Sequence, residues 1–312
     1  MSEDKINNKV RFLEVSEHYV GQRIDNFLFR EFKTAPRSLI YKLLRKGQVR
    51  VNKKRAKPEY KLVAGDMLRI PPFSLEAKAV SEFKNIDLSW LDDAIIFEDN
   101  KILVLNKPAG IPVHAGSKTA LGVIEALREL KKDTEQYIEL VHRLDKNTSG
   151  CLLFAKNSKT LKELQAQFKE GKVKKIYVCL VKGEVIGEHT VDVPLKKNII
   201  SDDDRMVTVD FENGKKAVSI FSGLKNSKLA SLCEVEILTG RTHQIRAHAK
   251  NLNHPIACDD KYGDKIFNTK MKDKGLNRMF LHAKTLEFNL DKKYKFTAVL
   301  EKRLSKIIKE IF

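Results

Sequence analysis

The sequence predicts an α+β fold in two parts: a small basic α/β domain, followed by a larger domain built on a large mixed or antiparallel sheet with flanking helices. Residues 1–73 combine two helical patterns with a net charge of +9, half of the +18 of the whole chain. After residue 90, strand patterns joined by short turns dominate, with helical patterns between them. Strands linked by hairpins and interspersed with helices are typical of α+β proteins.

Two helices and a few short strands are expected in residues 1–73. Apolar residues recur at helical spacing in "QRIDNFLFREF" and again in "RSLIYKLLRKG". Pro36 stands directly before the second helix, and Gly47 stands where a C-terminal cap belongs. "QVRVN" and "DMLRIP" are predicted strands. A disordered basic arm would not carry these apolar stripes, so the sequence predicts a folded domain.

The charge of this domain is one-sided. It holds 17 Lys or Arg against 8 Asp or Glu, and no acid lies between Lys33 and Pro58. Net charge alone would also fit a solubilising basic surface, but its concentration in one folded domain favours a phosphate backbone as partner. The predicted RNA-binding residues are Arg37, Lys42, Arg45, Lys46, Arg50, Lys53, Lys54 and Arg55.

The remaining composition indicates a cytoplasmic protein. Apolar runs such as "CLLFA" are far too short to span a bilayer, and the polar N-terminus of mixed charge is unlike a signal peptide. The four cysteines are scattered, which favours reduced thiols over a disulfide framework or a paired metal knuckle. We expect a cytoplasmic monomer that does not associate with membranes.

Residues 74–89 lack clean periodicity and follow two prolines, so they are predicted to link the small domain to a second domain at 90–312. "AIIFED" and "KILVLNK" flank Asn100 and predict a hairpin. Further strands are expected in "KKIYVCLVKGEV", "RMVTVDF", "KAVSIFSGL", "LASLCEVEIL", "MFLHAKTLEF" and "KFTAVL". Helices are expected in "LGVIEALRELKK", "SKTLKELQAQFKEG", "HQIRAHAKNL" and "EKRLSKIIKEIF".

Three stretches of the second domain are richer in Gly, His and Arg than a core needs: "NKPAGIPVHAG", "VHRLDKNTSG" and "LTGRTHQIRAH". None has the glycine spacing of a phosphate-binding loop. His243 and His248 are five residues apart and fall on different faces of a helix, which argues against zinc. The acidic run "SDDDR" at 201–205 is more typical of a solvated loop than of a magnesium site. We therefore expect no metal and no cofactor.

Asp145 is the one acid embedded in a structured, base-rich turn. A glycosidase would need two carboxylates, whereas a single carboxylate can act as nucleophile or base when an arginine keeps it ionised. Arg241 and Arg246 in the third stretch are the candidate donors. From this pattern alone, a purely structural turn acid is an equal alternative.

The segment "HRLDKNTSG" resembles the signature of the RluA family of RNA pseudouridine synthases. "KPAG" followed by "VH", the basic strand with Tyr177, and "TGRTHQIRAH" with downstream "HPI" and "KYGD" are similar to that family as well. "GQRIDNFL" and "IYKLLRKGQVRVNKKR" resemble the small RNA-binding domain shared with ribosomal small-subunit protein S-four. The resemblance covers nearly the whole chain. It departs at Asn289 and Leu290, where the family usually shows His-Pro in a surface turn.

The resemblance implies the pseudouridine synthase fold and the isomerisation of uridines in large-subunit (23S) ribosomal RNA. It makes Asp145 the essential carboxylate, with its attack on the sugar, its attack on the base and its removal of a ribose proton left as alternatives. Arg246 resembles the arginine that pairs with this acid. Tyr177 resembles the tyrosine that stacks on the target uracil.

The other substrate contacts implied by the resemblance surround a uridine flipped out of the RNA. Arg143 would enter the RNA in its place, and Leu238 would pack on the flipped base. Arg241 and Lys107 are candidate phosphate contacts, with structural roles as the alternative. His114 and His142 are expected to be hydrogen-bonded scaffold. Two further functions stay open: a non-catalytic RNA-binding protein of ribosome assembly, and the same chemistry on transfer RNA.

Overall fold

The structure is a computed structural model, and it describes residues 10–32, 35, 37–72, 88–115, 121–132, 137–199 and 205–312. Its strands form sheets of four, ten and two strands, with helices packed on the larger two. The predicted α+β class is therefore confirmed. Most of the predicted linker, 74–89, and the acidic residues 201–204 lie outside the described residues.

The small domain packs two helices on a four-stranded antiparallel sheet with the strand order β1-β4-β2-β3. Its elements are β1 Arg11–Glu14, α1 Ile24–Glu31, α2 Arg37–Arg45, β2 Arg50–Val51, β3 Lys54–Arg55 and β4 Met67–Ile70. The apolar stripes predicted for both helices are buried together with the inner face of the sheet. Gly47 ends α2 with a φ of +64°, a backbone conformation that favours glycine. Strand β1 was not predicted, because four residues of mixed polarity carry no clear alternation.

The large domain is built on a ten-stranded mixed sheet, whose main path runs β10-β13-β14-β9-β15-β8-β6-β5. Strand β16 pairs with β15, and β7 pairs with β8. The strands are β5 Ile95–Glu98, β6 Ile102–Lys107, β7 Glu139–Leu140, β8 Ser149–Ala155, β9 Lys174–Lys182, β10 Glu188–Asp192, β13 Val218–Asn226, β14 Ala230–Ile237, β15 Leu281–Asn289 and β16 Lys293–Thr297. A separate hairpin joins β11 Leu195–Ile199 to β12 Arg205–Val209.

Helices cover the large sheet, and the four predicted in this domain are present. They are α4 Val123–Leu130, α5 Ser158–Lys169, α6 Gln244–Asn251 and α8 Lys302–Ile311. Two more, α3 Trp90–Ala94 and α7 Lys265–Asp273, were not predicted. The sequence of α7 has only a weak apolar stripe, formed by the buried Phe267 and Met271. The side chain of Asp264 caps its first turn by accepting a hydrogen bond from the Phe267 amide at 2.7 Å.

The parallel pairing of β8 with β15 sets the position of the turn that precedes β8. Gly150 lies in this pairing with a φ of +110°, and a Cβ added there would stand 2.2 Å from the carbonyl oxygen of Ala283. No side chain fits in this space, so the glycine at the end of "VHRLDKNTSG" is a packing requirement. Residues 141–148 are thereby placed at the N-terminal end of β8, which is fully buried.

The small domain rests on the large one through a contact centred on Arg30. Its guanidinium lies 4.4 Å from the ring centre of Tyr19 and 5.3 Å from that of Tyr137, a residue of the large domain. The two tyrosine rings meet edge to face at 5.5 Å. Lys162 on α5 also donates to the carbonyl of Gly21 at 2.8 Å. Stacked arginine and aromatic rings combine apolar burial with cation–π attraction, so we call these residues the Arg30 contact.

Candidate active site

The three stretches singled out in the sequence meet around one open cavity of about 1290 Å³. Its wall contains nine Lys or Arg side chains against three acids, which makes it strongly basic. Asp145, Tyr177 and Arg246 all line it. The residues expected to contact RNA or base at its rim, Arg143, Leu238 and Arg241, line it too.

Asp145 lies in the loop between β7 and β8. Its own carbonyl accepts a hydrogen bond from the Thr148 amide at 3.1 Å, which closes the turn. About a quarter of its side chain, 26%, is exposed to the cavity. The carbonyl of the next residue, Lys146, accepts hydrogen bonds from the Gly110 amide at 2.8 Å and from the ammonium of Lys107 at 3.1 Å. The stretch "KPAG" thus fixes the loop that presents the carboxylate.

Lys107 does not stand where a phosphate contact would. Its side chain is fully buried, and its ammonium donates to the carbonyls of Pro108 and Ile111 at 2.8 Å as well as to that of Lys146. Burial lowers the pKa of Lys107 to about 7, with the Asp145 carboxylate acting in the opposite direction. Of the two roles considered for Lys107, phosphate contact and structural support, its burial and contacts favour the structural one. The sequence left both roles open, because it does not show in which direction the side chain of a lysine at the end of a strand points.

Replacing Lys107 with methionine is expected to lower the free energy of unfolding by about 3 kcal/mol, because buried carbonyl oxygens lose their donor. Loosening of the Asp145 loop should also lower kcat by about 10- to 100-fold. Denaturant unfolding and single-turnover kinetics measure the two effects. Lys293→Met, at an exposed ion pair with Glu287, is the matched control. Unchanged stability in Lys107→Met would contradict this role.

Arg246 on α6 connects two carboxylates. Its Nε and Nη2 donate to both oxygens of Asp259 at 2.7 Å, and its Nη1 donates to Oδ2 of Asp145 at 3.3 Å. Burial lowers the pKa of Arg246, but Asp259 and Asp145 outweigh it, so the net pKa is raised. The Asp259 side chain is fully buried, and although burial raises its pKa, the Arg246 guanidinium holds the pKa of this carboxyl below its usual range. Arg246 is therefore charged, and its hydrogen bonds to the two carboxylates fix its orientation.

Arg241 does not pair with Asp145. Its Nε donates to the carbonyl of Lys216 at 2.9 Å, at an exposed position on the cavity rim. Of the two arginines considered as donors to the acid, only Arg246 reaches it. The buried Gln244 holds this turn by accepting from the Arg241 amide at 3.0 Å and from the Thr239 hydroxyl at 2.7 Å.

Tyr177 lies on β9 between Val235 of β14 and Ala283 of β15, with 9% of its surface exposed. Burial raises the pKa of its phenol, and the nearby Asp145 carboxylate raises it further, so the hydroxyl stays protonated. Leu238 is 47% exposed on the cavity wall. Both side chains line the cavity.

His142 is confirmed as hydrogen-bonded scaffold. Its Nε2 accepts from the Leu153 amide at 3.1 Å, its ring stacks on Phe168 with 4.9 Å between ring centres, and burial lowers its pKa to about 4. His114 is exposed at the cavity edge, and its role as scaffold stays a prediction.

Three residues of the site were missed by sequence reasoning: Asp259, His243 and Tyr262. Asp259 stands beside the exposed Asp260 in "ACDDKYGD", and nothing local shows which of two adjacent acids is buried. Nε2 of His243 lies 3.8 Å from Oδ2 of Asp145, and its Nδ1 is hydrogen-bonded to the Tyr262 hydroxyl at 3.0 Å. His243 has a φ of +51°, since it caps α6 in a left-handed conformation.

Within the described ranges, no cluster of three His, Cys, Asp or Glu side chains could hold a metal ion. None of the helices described is both long and apolar enough to cross a membrane.

Comparison with known proteins agrees with this architecture. A model of the RNA pseudouridylate synthase family matches residues 101–251, and a model of the S4 domain matches residues 22–68. The human RNA pseudouridylate synthase domain containing 4 superposes with a TM-score of 0.60 at 23% identity, over 72% of this chain and 95% of that one. The human domain-containing 1 protein gives 0.57 at 22% identity, over 73% and 97%. The fold is that of pseudouridine synthases.

The chain belongs to the family of RNA pseudouridylate synthases, as the full-length relatives show. It is 47% identical to the ribosomal large subunit pseudouridine synthase C of Pasteurella multocida, over 98% of this chain and 95% of the relative. The protein of the same name from Vibrio vulnificus is 44% identical over 99% and 98%. That of Escherichia coli is 47% identical over 89% and 88%. The family predicted from "HRLDKNTSG" is thus confirmed.

Proposed function

We propose that this enzyme converts uridines of large-subunit (23S) ribosomal RNA to pseudouridine, with Asp145 as its reactive carboxylate. The observation that carries the proposal is a carboxylate about a quarter exposed, paired with a buried arginine, in a basic cavity. The names of its relatives support the choice of RNA. The bond between ribose carbon 1′ and uracil nitrogen 1 breaks, the base turns, and carbon 5 takes its place on the ribose. The proton of carbon 5 leaves as nitrogen 1 gains one.

Each neighbour of Asp145 has a proposed part in this isomerisation. Arg246 donates a hydrogen bond to Oδ2 of the carboxylate and fixes its orientation. Tyr177 and Leu238 hold the flipped uracil by stacking and apolar contact. Arg143, exposed on the rim, takes the vacated place in the RNA, which offsets the few kcal/mol that base extrusion costs. Nothing is oxidised or hydrolysed overall, so we propose that no cofactor is needed.

The small domain is proposed to bind RNA through its basic residues, with domain boundaries at 73 and 90. Seven of them are exposed: Lys42, Arg45, Lys46, Arg50, Lys53, Lys54 and Arg55. Arg37 begins α2, and its side chain lies outside the described part of the structure. Exposure on one domain leaves these cations free for phosphates.

Changing Arg45, Lys46, Lys53 and Lys54 to glutamine should weaken RNA binding and reduce the slope of log K against log salt by about 3, given about 0.7–0.9 per lost phosphate contact. Titrations at several salt concentrations measure it. The control changes four exposed lysines of α7 and α8, Lys272, Lys302, Lys306 and Lys309, to glutamine. An equal loss of slope in both proteins would mean that only total charge matters.

Mapping of pseudouridines by primer extension tests the function itself. Ribosomal RNA from a strain that lacks this gene should lose pseudouridine at specific large-subunit positions, and the purified enzyme should restore them. Unchanged large-subunit RNA would favour a non-catalytic role in assembly, and lost modification in transfer RNA would favour that substrate. We further propose a cytoplasmic monomer, consistent with four buried free thiols.

A further inference from the structure

The buried hydroxyl of Tyr262 lies between strand β12 and the ring of His243. Tyr262 is 2% exposed, and its oxygen accepts the Val207 amide of strand β12 at 2.7 Å. The hydroxyl hydrogen must then find an acceptor, because a buried unpaired donor costs about 1–3 kcal/mol. Among the described residues, the structure gives it one partner, Nδ1 of His243 at 3.0 Å.

A ring nitrogen that accepts from a hydroxyl cannot carry a proton. With Nδ1 as acceptor, the neutral imidazole must bear its hydrogen on Nε2. Nε2 faces Oδ2 of Asp145 at 3.8 Å, a distance at which a small movement completes a hydrogen bond when substrate binds. The same oxygen already accepts from Arg246, at 3.3 Å. Both donors therefore converge on Oδ2.

We propose that His243 is a positioning residue, held by Tyr262 as the neutral Nε2–H tautomer, which donates to Oδ2 of Asp145 and leaves Oδ1 as the reacting oxygen. The inference rests on the proposed role of Asp145. Within the described residues, no hydrogen bond involves Oδ1, so its lone pairs are available to the substrate. A neutral donor orients the carboxylate without adding a second full positive charge, which would weaken it as a nucleophile or base.

Two properties of the surroundings support the neutral form. Burial lowers the pKa of His243 and outweighs the Asp145 and Asp259 carboxylates, which raise it, while the positive charges of Arg246 and Lys261 also lower it. Burial also raises the pKa of Tyr262, so its hydroxyl keeps the hydrogen that it donates. Val207, Tyr262 and His243 thus form a chain of contacts from strand β12 to the Asp145 carboxylate.

Nuclear magnetic resonance of the full chain labelled with ¹⁵N-histidine reads the tautomer directly. Correlation of the ring carbon-bound hydrogens with both nitrogens should show His243 with a bare Nδ1 and a protonated Nε2 at neutral pH. His243→Asn identifies the signals by their loss. Tyr262→Phe should convert this single tautomer into a mixture. A protonated Nδ1 in the unmodified enzyme, or an unchanged tautomer in Tyr262→Phe, would overturn the inference.

Kinetics of two matched variants test the effect on the reaction. Asparagine places a polar atom where Nδ1 stands but reaches no further, whereas glutamine places an amide donor near Nε2. His243→Asn should lower kcat by about 10- to 100-fold with little change in KM, while His243→Gln should stay within about fivefold of the unmodified enzyme. His189→Asn, at an exposed histidine of β10, is the control and should have unaltered kinetics.

The relative rates of His243→Asn and His243→Gln distinguish the proposed role from a merely structural one. At a φ of +51°, asparagine is the better tolerated residue, so backbone strain alone would make His243→Gln the slower and less stable variant. Equal rates for the two, or the reverse order, would refute the proposal. The tautomer measurement does not depend on turnover, so an error about Asp145 would show in the activity of Asp145→Asn instead.

Discussion

Asp145→Asn is expected to abolish pseudouridine formation, by at least about 10⁴-fold in kcat, the scale seen when a catalytic nucleophile is removed. The amide has nearly the shape of the carboxylate and still fits the turn closed by Thr148. It carries no negative charge, so it can neither attack carbon nor remove a proton at a useful rate. Release of tritium from carbon 5 of labelled uridine in 23S RNA measures turnover.

Binding of RNA by this variant should stay within about twofold of the unmodified enzyme, because most of the affinity comes from phosphate contacts of the basic surfaces. The matched control is Asp260→Asn, a neighbouring acid on the same cavity wall with no assigned part in the reaction. It should turn over at the ordinary rate. An Asp145→Asn enzyme that releases tritium would remove this carboxylate from the mechanism.

Arg246→Gln is expected to cost both stability and activity. Its buried partner is Asp259, whose side chain has no exposed surface, and breaking a buried ion pair by removing one member costs about 3–5 kcal/mol. Asp145 loses its donor as well, so kcat should fall by at least about 100-fold. Denaturant unfolding and the tritium assay measure the two losses.

The stability loss should depend on pH. With Arg246 present, Asp259 has a lowered pKa, so it stabilises the folded chain above its unfolded pKa of about 3.9, and this contribution fades as pH falls through the folded value. Without Arg246, burial raises the pKa of Asp259, and the stability difference between the two proteins should shrink on acidification. The double variant Arg246→Gln with Asp259→Asn removes both charges. It should regain stability but not activity, and a loss as large as that of the single variant would contradict the assignment.

Much of this architecture could be predicted, because local patterns determine it. Strand patterns and helical spacing predicted the strand with Tyr177 and the helix with Arg246, and the base-rich turn "VHRLDKNTSG" marked the loop of Asp145. That the three stretches meet at one site was predicted from the family resemblance and not from local sequence patterns. Pairing of β8 with β15 joins residues more than 130 positions apart, and no local pattern specifies such a partner.

The polar interior of the site escaped prediction for a related reason. The burial of Lys107, the choice of Asp259 over Asp260, and the link from Tyr262 to His243 all depend on side-chain direction in the assembled fold. Each of these groups is costly to bury unless a distant partner meets it. Sequence shows the polar residue but not the partner.

The Arg30 contact has a consequence for how a uridine is chosen. A domain held only by a linker samples many orientations, and its bound RNA meets the other domain at an effective concentration set by linker length. Here Tyr19, Arg30 and Tyr137 fasten the small domain directly to the large one. An RNA element bound on α2 then lies at one fixed span from Asp145. We therefore expect the enzyme to select a uridine by its distance, along the folded RNA, from the element bound by the small domain. Moving a target uridine by a few nucleotides, with its flanking sequence unchanged, should then prevent its modification.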